Sequence, residues 1–149
     1  MLADTPQAYI TTLEEAEAYP DSVWRDRAKT GSVGVREATF LGFDGDVPIA
    51  MAIGLRKRRL REDILVIVSV YVSPAYRGTH VATDLMCSVE SWGSDWKAPA
   101  SSLWVAETNG RARAFYTKLG YLPTGDSMQM KPGSDRTEIR LEKGLQAEA

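Results

Sequence analysis

The alternation of apolar and polar residues predicts a sheet formed by short strands. Residues 36–43 alternate, Asp44-Gly45-Asp46 is typical of a tight turn, and alternation resumes over residues 47–55. Together these segments predict an antiparallel hairpin. Residues 63–73 are almost continuously apolar, which is the pattern of a central strand covered on both faces. Near the end of this strand, strict alternation predicts Ser69 and Tyr71 on one face and Val68, Val70 and Val72 on the other.

Helical spacing predicts segments that cover this sheet. Residues 1–30 contain two helical pieces, which are separated at Tyr19-Pro20-Asp21, and the second piece is expected to end at Gly31. Residues 81–96 predict a longer helix whose buried face carries four large apolar residues, namely Leu85, Met86, Val89 and Trp92.

The rest of the chain continues the alternation of strands and helices. A strand is predicted over residues 102–106 and a helix over residues 112–119, with Gly120 as its left-handed cap. An antiparallel pair is predicted near the end of the chain, through Met128 and residues 138–141. The fold class is therefore a single α/β domain over residues 1–149, with a mixed, mostly antiparallel sheet and helices on both faces.

Composition narrows the classes of function. The 149 residues include 18 basic and 20 acidic residues, so the overall charge does not favour a nucleic acid or a membrane surface as a partner. Residues 57–63 are strongly charged. They either attract an anionic substrate or form a solvated connector, and the connector is the favoured interpretation because short basic runs are common at strand ends.

Cysteine and histidine usage excludes further classes. Cys87 is the only cysteine, so no disulfide forms within the chain, and its helical position predicts a small core residue of a reducing compartment and not a nucleophile. His80 is the only histidine, which excludes a zinc site that needs two imidazoles. No apolar run approaches roughly 20 residues, and the N-terminus lacks the regions of a signal peptide, so a cytoplasmic protein is expected.

The segment after the central strand predicts an anion site. The β-branched run ends at Pro74, a short loop carries Arg77 and Gly78, and a helix begins at once. The first backbone N–H groups of a helix have no intrahelical partner and lie at the positive end of its dipole, so they bind phosphate. Arg77 adds a cation that binds phosphate oxygens. The alternative is an ordinary strand, turn and helix with a solvated arginine.

A second motif gives the anion site a context. Residues 109–121 match the pattern N-x-x-A-x-x-F-Y-x-x-L-G-F/Y at every named position. Together with residues 70–86, this motif resembles the acyl-CoA-binding core of the GNAT superfamily of N-acetyltransferases. The first motif departs from the family only at His80, where relatives usually have glycine. The resemblance implies a GNAT-like fold whose sheet is split at the central strand, and acetyl-CoA as acyl donor.

The resemblance also implies which residues bind and react. The strand end that would bind the pantetheine arm comprises Val70, Tyr71 and Val72. The loop and helix start that would hold the pyrophosphate comprise Arg77, Gly78, Thr79, His80, Val81, Ala82 and Thr83. Asn109 would bind the pantetheine amides and cap the following helix. Tyr116 would be the general acid, because a phenol with a pKa near ~10 is neutral at pH 7 and protonates a thiolate.

His80 has two interpretations. Glycine lets the backbone approach phosphate closely, so histidine either loosens the cofactor site or, when protonated, gains a charge partner in the pyrophosphate. Tolerance is the favoured interpretation, because helix N-termini accept many side chains that point outward.

The general base remains open at this stage. Relatives often have a glutamate on the central strand or the next one, where this chain has Ser69, Tyr71 and Trp104. Glu107 and Glu37 are weak candidates, and a water held by Ser69 or an amine that arrives partly neutral would also serve. Trp104 and Tyr71 would form an aromatic substrate wall, although a core tryptophan is the commoner role.

The expected function is transfer of an acetyl group from acetyl-CoA to a primary amine by direct attack in a ternary complex. Residues 5–30, the hairpin and the loop near Pro132 would select a small-molecule or peptide amine. The family's usual first strand is expected to be missing, which would leave a sheet edge open to a second copy as a homodimer. The alternative is a non-catalytic acyl-CoA-binding or dimeric regulatory module.

Overall fold

The computed structural model describes residues 1–146, which form one six-stranded sheet with helices on both faces. A short 3-10 turn at Pro6–Ala8 precedes the regular elements. The helices are α1 (Leu13–Glu17), α2 (Asp21–Val33), α3 (Val81–Asp95) and α4 (Gly110–Lys118). The strands are β1 (Glu37–Asp44), β2 (Val47–Arg59), β3 (Glu62–Val72), β4 (Ala100–Ala106), β5 (Leu122–Gln129) and β6 (Thr137–Gly144). Residues 147–149, which the single-domain prediction includes, lie outside the described residues.

The sheet order is β1-β2-β3-β4-β6-β5, and every adjacent pair except β3 with β4 is antiparallel. This confirms the predicted mixed, mostly antiparallel sheet. Within the described residues, β1 is the first strand and occupies one edge of the sheet. The absence of the family's usual first strand stays a prediction.

The charged segment at residues 57–63 belongs mostly to the second hairpin. Strands β2 and β3 pair as far as Arg59 and Glu62, so only a two-residue turn separates them. The Asp63 carboxylate binds the guanidinium groups of Arg36, Arg56 and Arg58. The prediction of a solvated connector was therefore wrong, because most of this segment is paired strand. Within it, Arg58 forms an ion pair with Asp63 across the hairpin.

Helices α2 and α3 pack on opposite faces of the first hairpin. Gly54 of β2 lies against Trp92 and Val89 of α3, whereas Gly31 of α2 lies against Thr39 of β1. Gly54 is paired with Ala38, so these two residues share a face of the sheet, and Thr39, the next residue in β1, points to the other face. Helices α3 and α2 therefore lie on opposite faces. Gly31 lies inside α2 and not at its end as expected; a Cβ there would stand 2.1 Å from the Thr39 hydroxyl oxygen. The left-handed residue that ends α2 is Gly34, with φ of 72°.

The core lies between α3, α4 and the sheet. Leu85, Met86 and Val89 are buried in it as the helical spacing predicted, and Trp92 packs at its margin. Cys87, in contrast, is exposed, so the prediction of a core cysteine was wrong. At about 100° per residue, position 87 lies on the far side of α3 from Leu85 and Val89. No helix within residues 1–146 is long and apolar enough to span a membrane.

The contact of Gly54 with α3 gives a prediction on stability. A Cβ at position 54 would lie 2.9 Å from the Trp92 ring and 3.1 Å from Val89, so Gly54→Ala forces α3 away from the sheet. We expect a loss of about 1–3 kcal/mol in the free energy of unfolding, measured by urea denaturation. Gly144→Ala is the control, because nothing lies within 4 Å of its added methyl group. Equal stability of the two variants would contradict the described packing.

Candidate active site

The sheet opens between β3 and β4. These parallel strands pair only at Leu65 with Ser101 and at Val66 with Ser102, whereas β2 follows β3 as far as Val72. Over residues 67–72, therefore, the backbone edge of β3 that faces β4 has no strand partner within residues 1–146. Strand β4 turns instead to β6, with which it pairs along its whole length. The split leaves backbone groups without a strand partner at the end of β3 that carries Val70, Tyr71 and Val72.

A bulge at Ser69 changes the faces of β3. Ser69 has φ of 55°, and the register with β2 shifts so that Ile53 is paired with Val68 but Met51 with Tyr71. Val68 and Tyr71 therefore share a face, and the alternation predicted from the sequence was wrong across this point. Val70 and Val72 pack on the core. A left-handed conformation in a residue other than glycine is strained and is often found at functional sites.

The predicted anion loop has a geometry that leaves helix N–H groups accessible. A 3-10 turn at Pro74–Tyr76 follows β3, Gly78 has φ of 77°, and α3 begins at Val81. The N–H of Val81 is 3.4 Å from the Thr79 hydroxyl, and the N–H groups of Ala82 and Thr83 are among those that an α-helix leaves without intrahelical partners. The loop thus presents several donors beside the split.

His80 occupies the position before α3 without strain. Its φ is −70° and its side chain is 82% exposed, 3.7 Å from the Asp84 carboxylate. Any residue adopts this backbone conformation, whereas Gly78 has a positive φ that favours glycine. The imidazole therefore points outward, in agreement with the favoured interpretation of tolerance.

Arg77 holds the N-terminal segment to the end of β3. Its Nε–H donates to the Val72 carbonyl at 2.9 Å, its guanidinium forms an ion pair with Asp4, and its charge lies 5.7 Å from the centre of the Tyr71 ring. The expected contact with phosphate would require this guanidinium to exchange Asp4 for the ligand. Arg77 thus links the split to residues at the start of the chain.

Helix α4 brings Asn109 and Tyr116 to the site. The Asn109 Oδ1 accepts from the N–H of Ala112 at 3.2 Å, so Asn109 caps the helix. Tyr116 is 8% exposed and packs against Phe115 and Tyr121. Its hydroxyl makes no hydrogen bond within residues 1–146, in contrast to the hydroxyls of Tyr9 and Tyr121. Burial, together with nearby Tyr9, raises the pKa of Tyr116 far above its usual value.

Tyr9 is a residue of this site that the sequence did not indicate. Its hydroxyl donates to the Val70 carbonyl at 2.9 Å, so it occupies a backbone group of the split. Burial raises the pKa of Tyr9 to about 12. The charge of Tyr9 also acts on the pKa of Tyr116, which indicates that the two phenols are close. No periodicity marks Tyr9, because it lies in an irregular segment whose position depends on contacts some 60 residues away.

A second residue that the sequence missed is Glu138 of β6. It is 7% exposed, is paired with Ala106 at the end of β4 and with Met128 of β5, and makes no ion pair within residues 1–146. Burial raises the pKa of its carboxyl, although the charge of Arg136 acts in the opposite direction. A buried carboxyl of this kind is a proton acceptor whose affinity for protons is higher than usual. The other candidates, Glu107 and Glu37, make no comparable site.

A cleft of about 390 Å³ lies on the same side of the molecule as Tyr9. One wall is the N-terminal segment and the other is the loop between β5 and β6; the lining residues are Pro6, Gln7, Tyr9, Ile10, Thr12, Met130, Lys131, Ser134 and Arg136. Met130 and Arg136 continue the ladder that holds Met128 and Glu138. The cleft therefore extends from the split, at Tyr9, to the end of the last hairpin.

Comparison with known proteins identifies the family. The model of the acetyltransferase (GNAT) family matches residues 4–121, which is most of the chain. The protein belongs to the GNAT family of acetyltransferases, and the resemblance of its two motifs is confirmed.

Individual relatives agree with this assignment. An uncharacterized N-acetyltransferase of Mycobacterium bovis is 39% identical over 56 residues, which are 38% of this chain and 36% of that protein. The match thus spans about a third of the length of this curated relative. Among solved structures, an acetyltransferase of the GNAT family from Streptococcus pneumoniae has a TM-score of 0.70 at 15% identity, over 85% of this chain and 78% of its own.

A third comparison covers almost the whole chain. Aminoglycoside 6′-N-acetyltransferase in complex with coenzyme A has a TM-score of 0.70 at 16% identity, over 99% of this chain and 91% of its own. At such identities the likeness shows the fold. It confirms the predicted fold class.

Proposed function

We propose that this protein transfers the acetyl group of acetyl-CoA to a primary amine by direct attack in a ternary complex. The observation that supports this best is the split between β3 and β4, because it leaves backbone groups of β3 without a strand partner shortly before the N-terminus of α3. An extended pantetheine arm needs such an edge, and a pyrophosphate needs such a helix start. The proposed domain comprises residues 1–149.

The binding roles follow from this placement. The backbone of Val70–Val72 would hold the pantetheine arm, and the N–H groups of residues 78–83 would hold the pyrophosphate. Asn109 uses its oxygen as the cap of α4, so its amide N–H groups stay available for a pantetheine carbonyl. Acetyl-CoA supplies the thioester, and the fixed N–H donors of the β3 edge would stabilise the oxyanion that develops on its carbonyl oxygen.

Tyr116 and Glu138 would move the two protons of the reaction. Glu138 takes a proton from the acceptor nitrogen, the nitrogen forms a bond to the thioester carbon, and the carbon–sulfur bond breaks. The departing thiolate takes the proton of the Tyr116 hydroxyl. The raised pKa of Glu138 suits the first transfer, since a base whose pKa is nearer the working pH is more effective. Cys87 lies on the exposed side of α3, which argues against a covalent intermediate on its sulfur.

The acceptor, the oligomeric state and the location remain predictions. A homodimer would pair along β1, the edge strand that carries exposed Leu41 and Phe43, and a cytoplasmic location is expected. A non-catalytic acyl-CoA-binding module is the alternative. The unpartnered carboxyl of Glu138 and the unpartnered hydroxyl of Tyr116 favour catalysis, because binding alone needs neither group.

The first test is thermal denaturation with acetyl-CoA. At a hundred times its dissociation constant, acetyl-CoA should add about 2.7 kcal/mol and raise Tm by roughly 5–10 °C at this chain length. Because His80 has an ordinary φ and an exposed side chain, we expect His80→Gly to change the affinity by less than about tenfold, or roughly 1.4 kcal/mol. The absence of any Tm shift at millimolar acetyl-CoA would contradict the proposed function.

Tyr116→Phe tests the proton donor. The substitution removes only the hydroxyl, so we expect kcat to fall by about a hundredfold while the affinity for acetyl-CoA stays within about twofold. The measurement is the release of free thiol in a panel of amines. Tyr19→Phe is the matched control, since Tyr19 packs on Trp24 and Arg27 of α2. Unchanged kcat in Tyr116→Phe would show that another group protonates the thiolate.

Glu138→Gln tests the proton acceptor. A base acts when deprotonated, so kcat/KM of the natural protein should decline as pH falls through a pKa above the usual ~4.3 of glutamate. This decline at low pH is the acid limb of the pH profile. In Glu138→Gln the acid limb should disappear, and kcat/KM at neutral pH should drop by about 10²-fold or more. Glu107→Gln, at an exposed position near the end of β4, is the control and should keep the limb.

Stability separates this role from a structural one. A folded-state pKa raised above the unfolded value contributes stability that is present at low pH and is lost as pH rises through the folded-state value. At pH 8 the glutamine variant should therefore be at least as stable as the natural protein. An acid limb that persists in Glu138→Gln would remove Glu138 from the mechanism.

A further inference from the structure

The cleft between the N-terminal segment and the last hairpin is lined by two basic side chains. Its lining includes Lys131 and Arg136 and no carboxylate. The Lys131 ammonium lies 3.6 Å from Glu15 of α1, whose other oxygen accepts from the N–H of Thr12 in a capping box. The charge of Lys131 is thus largely compensated within the protein.

Arg136 differs from Lys131 in its surroundings. Its guanidinium forms no ion pair within residues 1–146, and only its backbone is held, with its N–H donating to Ser134 and its carbonyl accepting from Met130. Its charge lowers the pKa of Glu138, which lies two residues further along the chain in β6. A free guanidinium in a concave wall binds planar oxyanions, because its N–H groups match two oxygens at once.

The lining of the cleft therefore offers two kinds of contact. Tyr9 of the N-terminal segment binds the Val70 carbonyl at the split, where the acceptor nitrogen must arrive, and Arg136 belongs to the loop between β5 and β6. The volume of about 390 Å³ is near the lower end of the range of small-molecule pockets, roughly 300–1,000 Å³. An acceptor that fills it would be a compact molecule.

We infer that the acceptor is a small primary amine that also carries an anionic group, of which an amino acid is the simplest example, and that Arg136 binds this anion. This inference rests on the proposed function. Arg136 is a specificity-determining residue in this scheme: it selects the acceptor and takes no part in the proton transfers.

The test compares matched acceptors in the natural protein and in Arg136→Gln. One pair is 4-aminobutanoate and 1-aminobutane, and a second is 2-aminoethyl phosphate and 2-aminoethanol. Because Arg136 acts on the pKa of Glu138, its loss affects both members of a pair through the base. We expect Arg136→Gln to lower kcat/KM for the anionic member by about tenfold to a hundredfold more than for the neutral member, chiefly through KM. This difference corresponds to about 1.4–2.8 kcal/mol. Arg61→Gln, in the turn at the opposite end of β3, is the control and should change neither.

The outcomes separate the inference from the proposed function. Acetylation of neutral amines as efficient as that of anionic ones, or an equal effect of Arg136→Gln on both, would overturn the inference and leave the function standing. If no amine is acetylated, saturation-transfer NMR with the same four compounds decides. Binding of the anionic compounds that is lost in Arg136→Gln supports an anion site. No binding of the anionic compounds, or binding that is unchanged in Arg136→Gln, overturns the inference.

Discussion

The brevity of the pairing between β3 and β4 is the constraint on which the site depends. Two residue pairs hold the parallel strands together, at Leu65 with Ser101 and at Val66 with Ser102, and beyond them the strands diverge. Exposed backbone groups are costly unless they find partners, so the open edge must be filled by a ligand, by water or by protein. In this structure the Tyr9 hydroxyl takes one of them, the Val70 carbonyl.

A buried polar network holds the closed end of the split. The Tyr121 hydroxyl lies 2.8 Å from Ser101 on β4 and 2.8 Å from Glu90 on α3, and Glu90 also binds Lys143 of β6 at 2.8 Å. Tyr121 is fully buried, and an unpaired group there would be destabilising. The network thus ties α3, β4 and β6 together where the strands still pair. The opening at the other end is accordingly confined to the last residues of β3.

Local pattern was sufficient for most of the elements and for the cap at Asn109. The motif of residues 109–121 predicted the helix and this cap, because both depend on neighbours within a few turns. It failed where a local rule has more than one solution. Alternation could not show the bulge at Ser69, since one strained residue reverses every face beyond it. Residue type alone was misleading at Cys87, because its position on α3 exposes the side chain.

By itself the sequence determined the fold class and, through the resemblance of its two motifs, the family. It also predicted an anion site in the loop before α3, because the groups of that loop are held together by a short stretch of backbone. Only the tertiary structure decided which distant side chains complete the site. Tyr9 reaches Val70 across 61 positions, and Glu138 reaches the end of β4 because β6 returns antiparallel beside it. The burial of the Glu138 carboxyl, which raises its pKa, results from this packing. The neighbouring residues in the sequence do not indicate it.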